Sequence, residues 1–278
     1  MKSQQSKGWP WATPFSSGAR PLVLGIVNVT PNSFSDGGQF FDRSNAIAQG
    51  LRLREEGADL VDVGGESTRP GAEPVALDEE LRRVIPVIEA LAREEVRVSV
   101  DTLKPEVMRA AIDAGCAVVN DVNAFRAPGA IEAVASADVG VIVMHMQGSP
   151  RTMQEAPRYE DVVSEVGAFL RQRAQVLEQA GVAAERIVVD PGFGFGKTVE
   201  HNKRLFRALP ALASLGYPLL AGVSRKKMLG DFTGRGPEDR VAASVAAALL
   251  AAQNGASLLR VHDVRQTVDA LNVWMELR

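Results

Sequence analysis

Short aliphatic runs recur along the chain, with polar, helix-patterned stretches between them. The runs cover residues 22–27, 60–63, 96–100, 117–119, 139–144, 187–189, 219–223 and 258–261. Each is nearly continuous in Val, Ile, Leu or Ala, which predicts strands buried on both faces. Helical patterns fill most gaps, over 45–56, 78–93, 105–114, 159–180, 203–215 and 237–254. Gly57, Gly115, Gly181, Gly216 and Gly255 stand just beyond five of these, where a helix commonly stops. Strands alternating with helices make βαβ units and a parallel sheet. Eight units spaced by roughly 34 residues predict an α/β protein, a single (β/α)8 TIM barrel. An open doubly wound sheet is the alternative, and it would show fewer strands and a phosphate-binding glycine turn after the first. No linker-like shift in composition divides the chain. Residues 1–20 read as a flexible N-terminal lead-in and 21–278 as one barrel domain.

Composition narrows the classes. The 278 residues are 46% hydrophobic and carry a net charge of -3, which excludes a disordered chain. Cys116 is the single cysteine, so neither a disulfide framework nor a cysteine-built zinc site is available. The near-neutral balance argues against nucleic-acid binding. The first twenty residues lack an apolar signal-peptide core, and the Ala-rich stretch 241–252 is too short for a membrane span. A cytoplasmic protein is expected.

Active sites of this barrel lie at the C-terminal strand ends, and there every run delivers polar groups. The first ends in Asn28 and the second leads into Gly64-Gly65-Glu66-Ser67-Thr68-Arg69. The third and fourth reach Asp101 and Asn120-Asp121. The fifth and sixth reach His145 and Asp190. The seventh leads to Ser224-Arg225-Lys226, and the eighth carries Arg260 and His262. Polar groups so near a core are costly unless paired or used. The competing reading is a stabilising network with no ligand. Asp101, Asn120 and Asp190 offer acceptors for a donor-rich heterocycle edge, while Arg69, Lys226, Arg260 and His262 offer positive charge for an anion. Two long loops, 30–38 and 64–74, suit lids over that rim. The stretch Gly192-Phe193-Gly194-Phe195-Gly196-Lys197-Thr198 is not a P-loop, because Pro191 stands where the first glycine is needed. Its glycines are expected to shape a turn beside Asp190.

Three segments carry a family resemblance. They are Leu24-Gly25-Ile26-Val27-Asn28-Val29-Thr30-Pro31-Asn32-Ser33-Phe34-Ser35-Asp36-Gly37-Gly38, Asp62-Val63-Gly64-Gly65-Glu66-Ser67-Thr68-Arg69-Pro70-Gly71, and Asp190-Pro191-Gly192-Phe193-Gly194-Phe195-Gly196-Lys197. With Ser224-Arg225-Lys226 and Arg260-Val261-His262-Asp263-Val264, they resemble the dihydropteroate synthase family from Pro21 to the C-terminus. The family often has Asp where this chain has Asn32. The resemblance implies a transferase of folate biosynthesis, which joins 6-hydroxymethyl-7,8-dihydropterin diphosphate to 4-aminobenzoate with the help of Mg2+. It implies that Asp101, Asn120, Asp190 and Lys226 hold the pterin. Asn28, Arg69, Arg260 and His262 are implied to hold the diphosphate, with Asn28 also beside the metal. Phe34, Thr68, Arg69, Pro70 and Ser224 are implied for the 4-aminobenzoate side, where sulfonamides compete, and Asp36 for support of the reaction's cation or of the closed loop. Asn28, Asp101, Lys226, Arg260 and His262 are the residues implied for catalysis. A homodimer is also implied, with no membrane or nucleic-acid partner.

Other readings use the same residues. A pterin-binding methyltransferase would not need the Arg69, Lys226 and Arg260 cluster. A Schiff-base aldolase would use Lys226, its pKa depressed by Arg225 and Lys227. A degenerate barrel that only binds a partner would not need the intact rim.

Overall fold

Every apolar run contains a strand, and the strand residues are buried or half-buried. The computed structural model describes residues 19–30, 38–69 and 71–278, with the backbone alone for 38–42. The strands are β1 Leu22–Asn28, β2 Leu60–Gly64, β3 Val98–Asp101, β4 Val118–Asp121, β5 Gly140–Met144, β6 Ile187–Asp190, β7 Leu220–Ala221 and β8 Leu258–Val261. They pair in parallel in the order β6-β5-β4-β3-β2-β1-β8-β7. A further parallel bridge, Val189 to Leu219, joins the two ends of that series. The sheet thereby closes into the expected (β/α)8 barrel.

Alternation along the strands sets up the site. Leu24, Leu60, Val118, Ile142, Val188, Leu220 and Leu258 pack together inside the barrel. Their outward neighbours, such as Val23, Val61, Val119 and Val189, join the larger cluster beneath the helices. Because side chains repeat every second residue, the next inward positions are Ile26, Asp62, Asn120, Met144, Asp190, Gly222 and Arg260. The interior therefore changes from apolar to mostly polar within one side-chain layer.

The helices are α1 Gly38–Glu55, α2 Leu77–Arg93, α3 Pro105–Asp113, α4 Ala130–Ala135, α5 Val162–Gln179, α6 Val199–Arg207, α7 Leu209–Ala213, α8 Lys227–Thr233, α9 Val241–Gln253 and α10 Val264–Leu277. The helix expected over 203–215 is two. It begins earlier, because Thr198 and His201 form a capping box, bonding each other's backbone N–H at 3.1 and 3.3 Å. It breaks at Ala208, because Pro210 has no N–H to give Phe206. The short α4 and α8 are additions to the sequence reading. Arg20, placed by the sequence in the lead-in, bonds Asp59 at 2.7 Å and so joins the barrel. Among the described residues, no helix is long and apolar enough to cross a membrane.

Candidate active site

Asp101, Asn120, Asp190, Lys226 and Arg260, all expected at the rim, line one pocket over the polar layer. Met144, Gly222 and Phe195 supply apolar walls and open space beside them. At its base, Arg260 Nε donates to Asp62 Oδ2 at 2.7 Å, and Nη2 donates to Asp101 Oδ2 at 2.8 Å. Burial opposes the charge on Arg260, but Asp62 and Asp101 outweigh it and raise the pKa, so the guanidinium stays charged. Burial pushes Asp101 up to about 7, against the pull of Arg260. Asp62 Oδ1 and Asp101 Oδ1 are buried without a hydrogen-bond partner. Unsatisfied buried acceptors are costly, and Asp101 Oδ1 at the pocket wall suits a ligand that brings N–H groups.

Asp190 sits at the end of β6 and is 6% exposed. Its Oδ1 accepts from the Gly192 N–H at 2.7 Å. Burial raises its pKa, while that bond and Lys226 act in the opposite direction. The glycines do shape a turn here: Gly192, Gly194 and Gly196 all have positive φ. A Cβ on Gly192 would lie 2.0 Å from the His145 carbonyl oxygen. Gly192→Ala is therefore expected to destabilise the protein by at least about 2 kcal/mol, through left-handed strain and the clash together. Chemical denaturation would measure it.

Lys226 Nζ lies 4.3 Å from the centre of the Phe195 ring. Burial, then the neighbouring Arg260, brings its pKa down to about 8. This corrects the sequence reading, which assigned that effect to Arg225 and Lys227. Arg225 is drawn away by Asp263 at 2.6 Å and Glu238 at 3.0 Å. Its backbone is left-handed, at φ 56°. Ser244 holds that turn by accepting the Arg225 N–H at 2.9 Å. On one side of Arg225, Ser224 Oγ meets His262 Nδ1 at 3.1 Å. Burial, then Arg260, lowers the His262 pKa to about 4, so the ring is neutral at pH 7. Its expected contribution of positive charge thus needs an anion beside it.

Asn28 is half-buried and registers with Gly64, which registers with Asp101. Gly64 leaves a gap: a Cβ there would come 3.6 Å from Asp101 Cβ and 4.0 Å from Asn28 Oδ1. Thr68 and Arg69 lie on the loop after β2, with Arg69 exposed and not bonded to the pocket base. Phe34, Asp36 and Pro70 lie outside the described residues, as does most of the first rim loop.

Several residues escaped the sequence reading. Asp62, fully buried, anchors Arg260 and also accepts from Asn120 Nδ2 at 3.4 Å. Two-residue alternation back from Gly64 was the signal for it. Lys104 bridges Glu66 on the second rim loop to the buried Glu80 of α2, which accepts from Thr102 Oγ1 at 2.7 Å. Arg83 holds the Gly65 carbonyl at 2.9 Å. These contacts fix the base of that loop, and no local motif announces them.

A family model described as "Pterin binding enzyme" matches residues 24–262. The dihydropteroate synthase of Escherichia coli strain K12 is 49% identical over 256 residues, covering 92% of this chain and 91% of that protein. The Xanthomonas albilineans dihydropteroate synthase with 4-aminobenzoic acid is 58% identical, with a TM-score of 0.88 and 94% of each chain covered. The same organism's enzyme in complex with 7,8-dihydropteroate gives 55% identity and a TM-score of 0.85, again over 94% of each chain.

Proposed function

This chain belongs to the pterin-binding enzyme family, among the dihydropteroate synthases, and we propose how its rim makes 7,8-dihydropteroate for folate synthesis. The reaction joins 6-hydroxymethyl-7,8-dihydropterin diphosphate to 4-aminobenzoate and releases diphosphate. The observation that carries the assignment to this pocket is its run of acceptors, Asp101, Asn120 and Asp190, facing Lys226 and Arg260. The pyrimidinone edge of a pterin presents adjacent N–H donors, which a carboxylate accepts in pairs. Asp190, with Oδ1 already oriented by Gly192, takes that edge with Asn120 and Asp101 beside it. Lys226 donates to the pterin carbonyl and ring nitrogen.

The bond from the pterin methylene carbon to oxygen breaks first, and the diphosphate leaves with the electron pair. The electron-rich dihydropterin stabilises the methylene cation. The neutral amine of 4-aminobenzoate then forms the C–N bond and gives up a proton. No strong base is needed for that attack. Arg69, Arg260, His262 and Asn28 stabilise the departing anion. Thr68, Arg69, Ser224, Phe34 and Pro70 are assigned to the 4-aminobenzoate side, where sulfonamides compete, and Asp36 to support of the cation or the closed loop.

Among the described residues, no group of three or more His, Cys, Asp or Glu could hold a metal by itself. The single amide of Asn28 beside the Gly64 gap nevertheless fits Mg2+, which takes few protein ligands and fills its shell with water and substrate phosphate oxygens. When bound, Mg2+ supplies charge neutralisation on the diphosphate. A cytoplasmic homodimer is part of the same reading. Leu250 on α9 and Val273 and Leu277 on α10 are exposed, which supports an interface on those packed helices. Sedimentation of Val273→Glu against the unaltered chain tests it, with a shift to monomer expected.

The testing experiment incubates the protein with both substrates and Mg2+. One 7,8-dihydropteroate is expected per diphosphate, with release depending on the amine. Diphosphate release at the full rate without 4-aminobenzoate would reject the reading. A pH profile adds a second check. Lys226 loses its proton as pH rises through about 8, so pterin affinity is expected to fall above that pH. Lys226→Met should have weaker affinity throughout and lack that inflection.

A further inference from the structure

We propose that Lys197, Gln154 and Tyr159 form a clamp that positions Asp190 and Phe195 for the pterin. This inference rests on the pterin site described above. Lys197 is 3% exposed, and among the described residues no carboxylate lies within hydrogen-bond distance of its ammonium. Instead, Nζ reaches His145 Nδ1 at 2.9 Å and the carbonyls of Gly192 at 2.9 Å, Phe195 at 2.9 Å and His145 at 3.2 Å. Three ammonium protons serve four acceptors, so one is shared. Burial brings the Lys197 pKa down to about 7; in its charged form the ammonium only donates, so His145 Nδ1 accepts and the ring proton sits on Nε2. Gln154 Nε2 donates to the Gly194 carbonyl at 2.6 Å, and Tyr159 Oη donates to the Gly196 carbonyl at 2.8 Å.

Four carbonyls of one five-residue turn, at 192, 194, 195 and 196, are thus held by side chains from outside the turn. Those bonds fix where its other groups point. The Gly192 N–H is aimed at Asp190 Oδ1, and Phe195 lies against Lys226. The backbone of His145 ties the same strand ends together, since its main-chain N–H donates to the Asp190 carbonyl at 2.9 Å. Three left-handed glycines do not hold one conformation unaided. An external clamp supplies the order that a paired set of acceptors requires. Lys197, Gln154 and Tyr159 line no part of the pocket, so they are positioning residues.

Calorimetry with 7,8-dihydropteroate, together with steady-state rates, tests the clamp. Lys197→Met is expected to raise the dissociation constant at least tenfold. The KM for the pterin diphosphate should rise in parallel, while kcat per folded molecule stays within threefold. A role confined to stability would lower Tm and the active fraction but leave the dissociation constant of the folded protein unchanged. If Lys197→Met does not fold, the double variant Gln154→Ala with Tyr159→Phe loosens the same turn from outside. Its expected effect is a threefold to tenfold rise in the same constant. A change under twofold in Lys197→Met, or in the double variant if that one decides, overturns the clamp. Failure of the functional reading looks different, because the unaltered chain itself would then form no dihydropteroate.

Discussion

Asp190→Ala is expected to weaken pterin binding by at least a hundredfold while leaving the barrel folded. The carboxylate is nearly enclosed, and one of its oxygens is already engaged by Gly192. Two charge-assisted hydrogen bonds to adjacent pterin N–H groups contribute roughly 1.5–3 kcal/mol each. Losing both costs about 3 kcal/mol or more, which is a hundredfold or greater loss in affinity. Stability moves little, because two effects oppose one another. The variant removes a carboxylate whose burial disfavours its charge, and it leaves the Gly192 N–H without a partner. Asp190→Asn separates hydrogen bonding from packing. It keeps the shape but turns an amide N–H2 toward pterin donors, so it should bind nearly as poorly as Ala. Calorimetry with 7,8-dihydropteroate measures both.

The second large effect concerns Arg260, and it appears in stability as well as in catalysis. The sequence reading gives Arg260 mainly to the diphosphate. The structure gives it a prior task, since it joins Asp62 and Asp101 beneath the pterin site at 2.7 and 2.8 Å. Arg260→Ala leaves two carboxylates buried and unpaired. Breaking a buried ion pair from one side costs roughly 3–5 kcal/mol. The loss depends on pH, with a definite sign. Asp101 is raised when folded, from 3.8 to about 7. The native state therefore binds more protons than the unfolded chain, and this group's contribution is lost as pH rises through about 7. Removing the guanidinium raises the folded pKa further. The variant should accordingly be weakest at pH 8 and recover part of the deficit at pH 6. Asp62→Asn combined with Arg260→Ala should be more stable than Arg260→Ala alone. Denaturation at the two pH values checks each point.

Much of this architecture is legible in the chain because burial on both faces writes itself as unbroken aliphatic runs. All eight strands lie on such runs, and the polar residues just beyond them converge as the barrel requires. The six residues of α4 and seven of α8 are too short to carry a helical period. The break at Ala208 depends on one proline inside an otherwise helical pattern. Asp62 is hidden for a different reason. It stands inside an apolar strand, and its partner Arg260 lies 198 residues away. Lys197 is similar, because its meeting with His145, 52 residues earlier, exists only once β5 and β6 are paired. Local sequence marks where chemistry can be placed, while long-range pairing decides which charges are already taken.

A structure of this protein with bound 7,8-dihydropteroate tests the central claim most directly. The account predicts the pyrimidinone edge within hydrogen-bond distance of Asp190 and Asn120, Lys226 beside the pterin carbonyl, and the aminobenzoate arm toward Ser224 and the second rim loop. A pterin ring bound outside this pocket, or turned so that its donor edge faces away from Asp190, would contradict it.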